Sequence, residues 1–279
     1  MAERQYGRFD WWRKAAEADP AEVRAQAERI EQRGQTPDEV ATRAAYLDLL
    51  AIQRGERVLE LGCGSGVVLR ALAERVGPGG QAVGLDVSPA FLAIAAERAS
   101  AAGLADRIVL RQGDARSLPF ADGEFDLVLA ATTLAHVPDG ARAIPEMVRV
   151  ARPGGRVAVL ERDLDSFIIT HPDRELTRRI VQVGADLATV DGWLARRVPG
   201  LLAEAGLENV QVRAFTVLER DPNSYYGQLG RRRIDPAVEA GAITHEEGRR
   251  WLTQLDAEQA AGRFLVGITQ ILAWGVRPG

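Results

Sequence analysis

One cysteine in 279 residues, Cys63, rules out an intramolecular disulfide and a cysteine-based zinc site. Histidine is almost as scarce. His136, His171 and His245 stand far apart with no His-Glu-x-x-His spacing, so no metal is expected. Lysine occurs once, at Lys14, and arginine supplies the other basic charges, a bias of GC-rich coding more than of function. No uninterrupted apolar stretch approaches the roughly 20 residues that span a bilayer. The opening "MAERQYGRFDWWRK" lacks the apolar segment of a signal peptide, which makes the cytoplasm the expected location and a membrane an unexpected partner. Positive charge is not in excess either: the net charge is −4, so no overall field draws the chain onto nucleic acid. The local patch "GRRRID" (230–235) reads as a solvated loop.

What is present is the composition of a folded domain, 46% hydrophobic and 27% charged. Residues 1–50 read as a helical cap. "DPAEVRAQAERIEQR" offers Asp19 as N-cap with Pro20 behind it, and "TPDEVATRAAYLDLLAI" repeats the pattern with Thr36, Pro37 and a Glu39 spaced for a capping box. From residue 56 the hydrophobic period shortens. "RVLEL" (57–61), "QAVGLD" (81–86), "IVLRQGD" (108–114), "FDLVLAA" (125–131) and "GRVAVLE" (155–161) are β-prone, and helical patterns separate the early pairs. That alternation implies βαβ units and a parallel sheet covered on both faces, an α/β architecture. Residues 164–205 read as a mainly helical insertion, 209–220 as a strand, and 221–263 as a polar insertion with a helix that Thr244 caps. The last apolar run, 263–277, reads as a strand, and residues 51–279 as one domain carrying both insertions.

The glycine turn "ELGCGSG" (60–66) follows the first strand. A dinucleotide turn needs G-x-G-x-x-G, but Val67 stands where its third glycine would be. Glu60 precedes the turn, where its charge would repel a pyrophosphate. The second strand ends in "GLDVSP" with Asp86, placed to accept hydrogen bonds from ribose hydroxyls. The third ends in "GDARSLPF", the fourth opens into a loop at Thr132, and the fifth follows "RPGG".

In that order and spacing, these motifs resemble the class I S-adenosylmethionine-dependent methyltransferases, in particular the small-molecule enzymes similar to ubiquinone and menaquinone C-methyltransferases. The resemblance covers about residues 56–163. It implies a Rossmann-like, doubly wound, mostly parallel seven-stranded sheet with insertions after strands five and six. It also implies S-adenosylmethionine as methyl donor, with S-adenosylhomocysteine as product. The donor carries a sulfonium and an ammonium but no phosphate, which suits Glu60. Gly62 and Gly64 would let the backbone approach its methionyl part, with Cys63 a small packing residue between them. Asp86 would hold the ribose, Val87 and Ser88 the adenine face, Asp114 and Ala115 the adenine amino edge, and Ala131 and Thr132 the methyl-donor end. Two other readings stay open on the sequence: a donor-binding protein that transfers no methyl, and a nicotinamide oxidoreductase of the same layout.

Methyl transfer is an in-line displacement, and positioning alone can contribute about 7–11 kcal/mol. If a base assists, His136 in "TTLAHV" is the first candidate. Glu161 and Asp163 in "LERD" come next, with ion pairing to Arg162 as the competing explanation, and His171 is weaker. Trp11, Trp12, Tyr225 and Tyr226 are expected over the cleft as lid residues, at most one of the adjacent tryptophans facing a helical core, and Arg231–Arg233 as contacts for an anionic acceptor. The expected acceptor is a small molecule such as a secondary metabolite or quinone precursor, not a nucleic acid.

Overall fold

The computed structural model describes residues 7–279. The first six residues of the opening stretch, and of the cap read at 1–50, lie outside it. Helices α1 (Pro20–Gly34) and α2 (Pro37–Leu49) come first, each with proline in its first turn. Asp19 caps α1 by accepting from the Ala21 N–H. Thr36 makes no such bond, and the expected capping box fails because Glu39 turns inward to Tyr226 and Gln270.

The βα alternation then runs β1 (Arg57–Leu61), α3 (Val67–Val76), β2 (Gln81–Asp86), α4 (Pro89–Ala101), β3 (Ile108–Gln112), β4 (Phe125–Ala131), α5 (Ala143–Val150) and β5 (Ala151–Ile169). The remainder is α6 (Arg174–Asp186), α7 (Leu194–Glu204), β6 (Glu208–Glu219), α8 (Tyr225–Arg232), α9 (Ile234–Glu239), α10 (His245–Ala260) and β7 (Val266–Val276). The seven strands form one sheet ordered β3-β2-β1-β4-β5-β7-β6. Strands β1 to β5 pair in parallel and β7 is antiparallel to both neighbours. The order reverses beside β1, which places a crevice outside the carboxyl ends of β1, β2 and β4.

Alternation along each strand builds two cores. Leu59, Leu61, Val83, Val128 and Val157 face α5 and α7, while Val58, Ala82, Leu127, Leu129 and Ala158 face α2 and α3. Glu60 shares the second face with Val58, so the strand that packs the core also drives this carboxylate inward. A third core forms among Phe167, Ile180, Tyr226, Ile234, Trp251 and Phe264, joining α6 and α8–α10 to the far ends of β5 and β7.

Two expectations need correction. The fifth strand does not end at Glu161. It continues to Ile169 because β7 pairs with it from Arg156↔Val276 to Ile169↔Val266, so residues 164–169 belong to the sheet and not to a helical insertion. The "GRRRID" segment is not a solvated loop either: it ends α8 and opens α9, with Arg233 only 4% exposed.

Leu129 is fully buried in β4 between the crevice and the α2–α3 face. Leu129→Ala is expected to lower unfolding free energy by about 2–5 kcal/mol, read as a reduced urea midpoint with an unchanged slope.

Candidate active site

A cavity of about 540 Å³ opens at the crevice and is lined from the glycine turn to α8 and α9. Its size suits a small ligand.

At one end lies the turn after β1. Gly62, Gly64 and Gly66 all take positive φ (65°, 49° and 82°), a conformation that L side chains adopt at a cost. A Cβ on Gly62 would stand 2.2 Å from the Thr133 side chain, so protein, not only a ligand, forbids it there. Gly64 has only Ile30 nearby, at 3.5 Å, and its requirement is the backbone angle. Helix α1 lies over this turn, clamped by Glu31, which accepts from Ser65 Oγ and pairs with Arg70 and Arg98.

Two acids sit below. Glu60 is 2% exposed, and its Oε2 has no hydrogen-bond partner. Burial, then the nearby Asp86, pushes its carboxyl well above the usual range, with Arg70 and Arg43 opposing. Asp86 is pinned by the Gly64 and Ser88 N–H groups at 2.8 and 2.9 Å, and burial still raises its pKa. Cys63 is a buried thiol raised by burial and by both acids, which suits a packing residue.

Val87, Asp114, Ala115, Ala131 and Thr132 also line the cavity. Asp114 is tied bidentately to Arg116, whose hydrogen bond lowers its pKa. Thr132 has φ of 54°, an outlier for a β-branched residue that costs on the order of 1–3 kcal/mol. Ser88 does not reach the cavity. It is 1% exposed and caps α4 through the Phe91 N–H, correcting its placement beside the adenine.

The loop after β4 is held from beneath. Oε1 of Glu161 accepts from the Thr133, Leu134 and Ala135 N–H groups at 2.9, 2.7 and 3.3 Å. Glu161 is fully buried and lines no part of the cavity. Burial raises its pKa, with His136 and the donated N–H groups opposing. Asp163, on the same side of β5, pairs with Arg196 at 2.9 Å, and Arg162 between them points the other way, into the cavity. The carboxylates therefore do not pair with Arg162. His171 stacks on Trp251 outside the cavity.

His136 meets Asp10 at 2.8 Å from Nδ1 and Arg162 at 3.5 Å from Nε2. Arginine only donates, so the tautomer with its proton on Nδ1 serves both neighbours. Asp10 also accepts from Trp12 and Val190 N–H groups, fastening the amino-terminal segment over the site. Both Trp11 and Trp12 line the cavity and pack on Phe91. They sit edge to face at 5.2 Å on a tight 3₁₀ turn, where neighbouring rings converge.

At the other end Tyr225 lines the cavity, whereas Tyr226 is fully buried and donates to Glu39, which removes it from the lid. Arg232 and Arg233 line the cavity as well, and Arg231 instead pairs with Asp256. Asp10, Arg33, Glu39 and Arg162 line it too. The sequence offered none of these four as a ligand-facing residue.

Residues 59–159 match the family described as "Methyltransferase domain". A demethylmenaquinone methyltransferase of Anoxybacillus flavithermus is 34% identical over 191 residues, 63% of this chain and 80% of that protein. An uncharacterized 37.1 kDa protein in transposon TN4556 of Streptomyces fradiae is 34% identical over 228 residues, 81% of this chain but only 64% of that protein. Among solved structures, phosphoethanolamine N-methyltransferase 2 of Haemonchus contortus, in complex with phosphomonomethylethanolamine and S-adenosylhomocysteine, shares the fold. Its TM-score is 0.60 at 18% identity, over 97% of this chain and 61% of that one.

Glu161→Ala should orphan three backbone donors at roughly 1–3 kcal/mol each before relaxation. The expected result is faster hydrogen exchange at amides 133–135, with Glu161→Gln, which keeps an acceptor oxygen, retaining most of the protection. Equal exchange in both variants and wild type would show that the loop does not depend on this carboxylate.

Proposed function

The chain belongs to the class I S-adenosylmethionine-dependent methyltransferases, and we propose that its cavity aligns the S–CH₃ bond of that donor with a small-molecule acceptor. The observation that carries the placement is Glu60: a buried carboxylate oxygen without a partner, beside a turn whose Gly64 N–H is already donated to Asp86. A cation there supplies the missing interaction. The bound donor would supply an electrophilic methyl group on a sulfonium.

The chain's own residues supply position. Glu60 would meet the ammonium or sulfonium end and Asp86 the ribose, using lone pairs left free by its two backbone bonds. Val87, Asp114 and Ala115 would flank the adenine, and Ala131 and the strained Thr132 would face the methyl. His136, with Nδ1–H directed at Asp10, would give up the 3.5 Å contact of its Nε2 with Arg162 to accept an acceptor proton where one must leave. Trp11 and Trp12 exclude water from above. We read the acceptor as a small molecule, of the kind the quinone methyltransferase relative suggests, because the cavity is bounded by helices on the acceptor side. A reducing cytoplasm suits the single free thiol.

Donor binding should be linked to protons through Glu60. Its folded pKa lies above the unfolded value, so the folded chain keeps a proton that the unfolded chain has lost. That contribution to stability is fully present below the unfolded value and disappears as pH rises through the folded one. A cation favours the charged form, so S-adenosylmethionine affinity should rise with pH across the same window. Calorimetry in buffers of different ionisation enthalpy should show net proton release, and Glu60→Gln should abolish it.

Asp86→Ala is expected to weaken S-adenosylmethionine at least tenfold, about 1.4 kcal/mol, with the fold intact by circular dichroism. Retention of wild-type affinity would refute the ribose contact. Thermal stabilisation by NAD and not by S-adenosylmethionine, or no transfer of labelled methyl to any acceptor in a broad panel, would overturn the function itself.

A further inference from the structure

The acceptor end of the cavity holds more positive charge than the chain neutralises. Arg162 and Arg233 are 7% and 4% exposed, and among the described residues neither has a carboxylate within 4 Å. Arg233 Nη1 and Arg33 Nε have no hydrogen-bond partner at all. Arg233 Cζ stands over the Phe167 ring, 4.0 Å from its centroid, and Arg33 Cζ stands 5.5 Å from the ring centroid of Tyr225. Glu39 stands 4.0 Å from Arg33, and its Oε1 already accepts from Tyr226 and Gln270.

The arrangement is built. Gly184 of α6 has no side chain where a Cβ would stand 2.5 Å from Arg233 Nε, so the helix leaves room for the guanidinium. Arg162 comes from β5, Arg33 from α1 and Arg233 from the α8–α9 junction, so three separate elements deliver charge to one wall. Burying one unpaired guanidinium is costly, and grouping several compounds the cost unless an anion joins them. Burial and then the like charge of Arg162 pull Arg233 down to about 9, and Tyr225, which burial alone would raise, is drawn to about 8 by Arg162 and Arg33. Against its own burial, Arg162 is held above its ordinary value by Tyr225, Tyr226 and Glu39.

We propose that the acceptor carries an oxyanion, a carboxylate or a phosphate monoester, seated between Arg33, Arg162 and Arg233 with Tyr225 donating to it. This deepens the methyltransferase reading and rests on it. The oxyanion anchors one end of the acceptor while its nucleophilic atom reaches the methyl near Thr132 and His136. Planar guanidiniums match both anions in bidentate geometry, so the shared feature is the oxyanion and not its parent group.

The test titrates benzoate, phenyl phosphate and benzamide into protein saturated with S-adenosylhomocysteine. Benzoate or phenyl phosphate is expected to bind at least tenfold more tightly than the isosteric, uncharged benzamide, and the tighter of the two identifies the parent group. Arg233→Met should reduce that preference to threefold or less with S-adenosylhomocysteine affinity within twofold of wild type. Arg33→Gln, at a less buried position, repeats the measurement should the first variant fold poorly. Equal binding of the three probes, no binding of either anion, or an anion preference untouched in both variants overturns the oxyanion site. Failure of S-adenosylhomocysteine to bind overturns the donor reading instead, a separate outcome of the same experiment.

Discussion

Buried charge is kept in two camps within one cavity. Carboxylates Glu60 and Asp86 stand under the glycine turn, and guanidiniums of Arg33, Arg162 and Arg233 stand toward α8, with strained Thr132 and His136 between them. Neither camp satisfies itself. Asp86 raises the pKa of Glu60, and Arg162 lowers that of Arg233. If the two sets touched, they would pair and fill the site; the fold prevents this by presenting them from different elements. A ligand pair with a cation at one end and an anion at the other completes both sets, and the sign of each contact would orient it without any moving part.

The walls hold their shape through carboxylates that accept from buried and half-buried backbone and side-chain donors and so fix segments of chain. Glu161 gathers three N–H groups of the loop after β4, Asp10 joins the amino-terminal segment to His136 and Val190, and Glu31 binds α1 to α3 and α4. These bonds differ in kind from surface ion pairs such as Arg24–Glu97, whose side chains are more than half exposed and contribute little. The fixed carboxylates shape the site although they do not face the reacting atoms.

Much of this was legible in the residues. Strands β1 to β4 carry short apolar runs with glycine or aspartate at their ends, so their order and the glycine turn could be read directly, as could the cap at Thr244, where the capping box forms. The length of β5 could not be read, because its extension depends on β7, nearly a hundred residues later in sequence. Ser88 and Tyr226 were misplaced because sequence spacing does not say which side of a backbone faces the ligand. The "GRRRID" arginines looked solvated because composition marks charge as exposed, and only the pocket left by Gly184 shows where Arg233 goes. Asp10, Arg33 and Arg162 have no local pattern to betray them; their meaning comes from distant elements meeting.

Arg162 and Gln270 face each other across the β5–β7 ladder, and both line the cavity. The same continuous set of backbone bonds that secures the centre of the sheet therefore runs on into the acceptor wall. Such a wall resists swinging outward, since displacing it means unzipping the middle of the molecule. Discrimination among acceptors then depends on a rigid mould, and change of specificity in related chains is expected to proceed by exchanging side chains on these two strands more than by altering hinges.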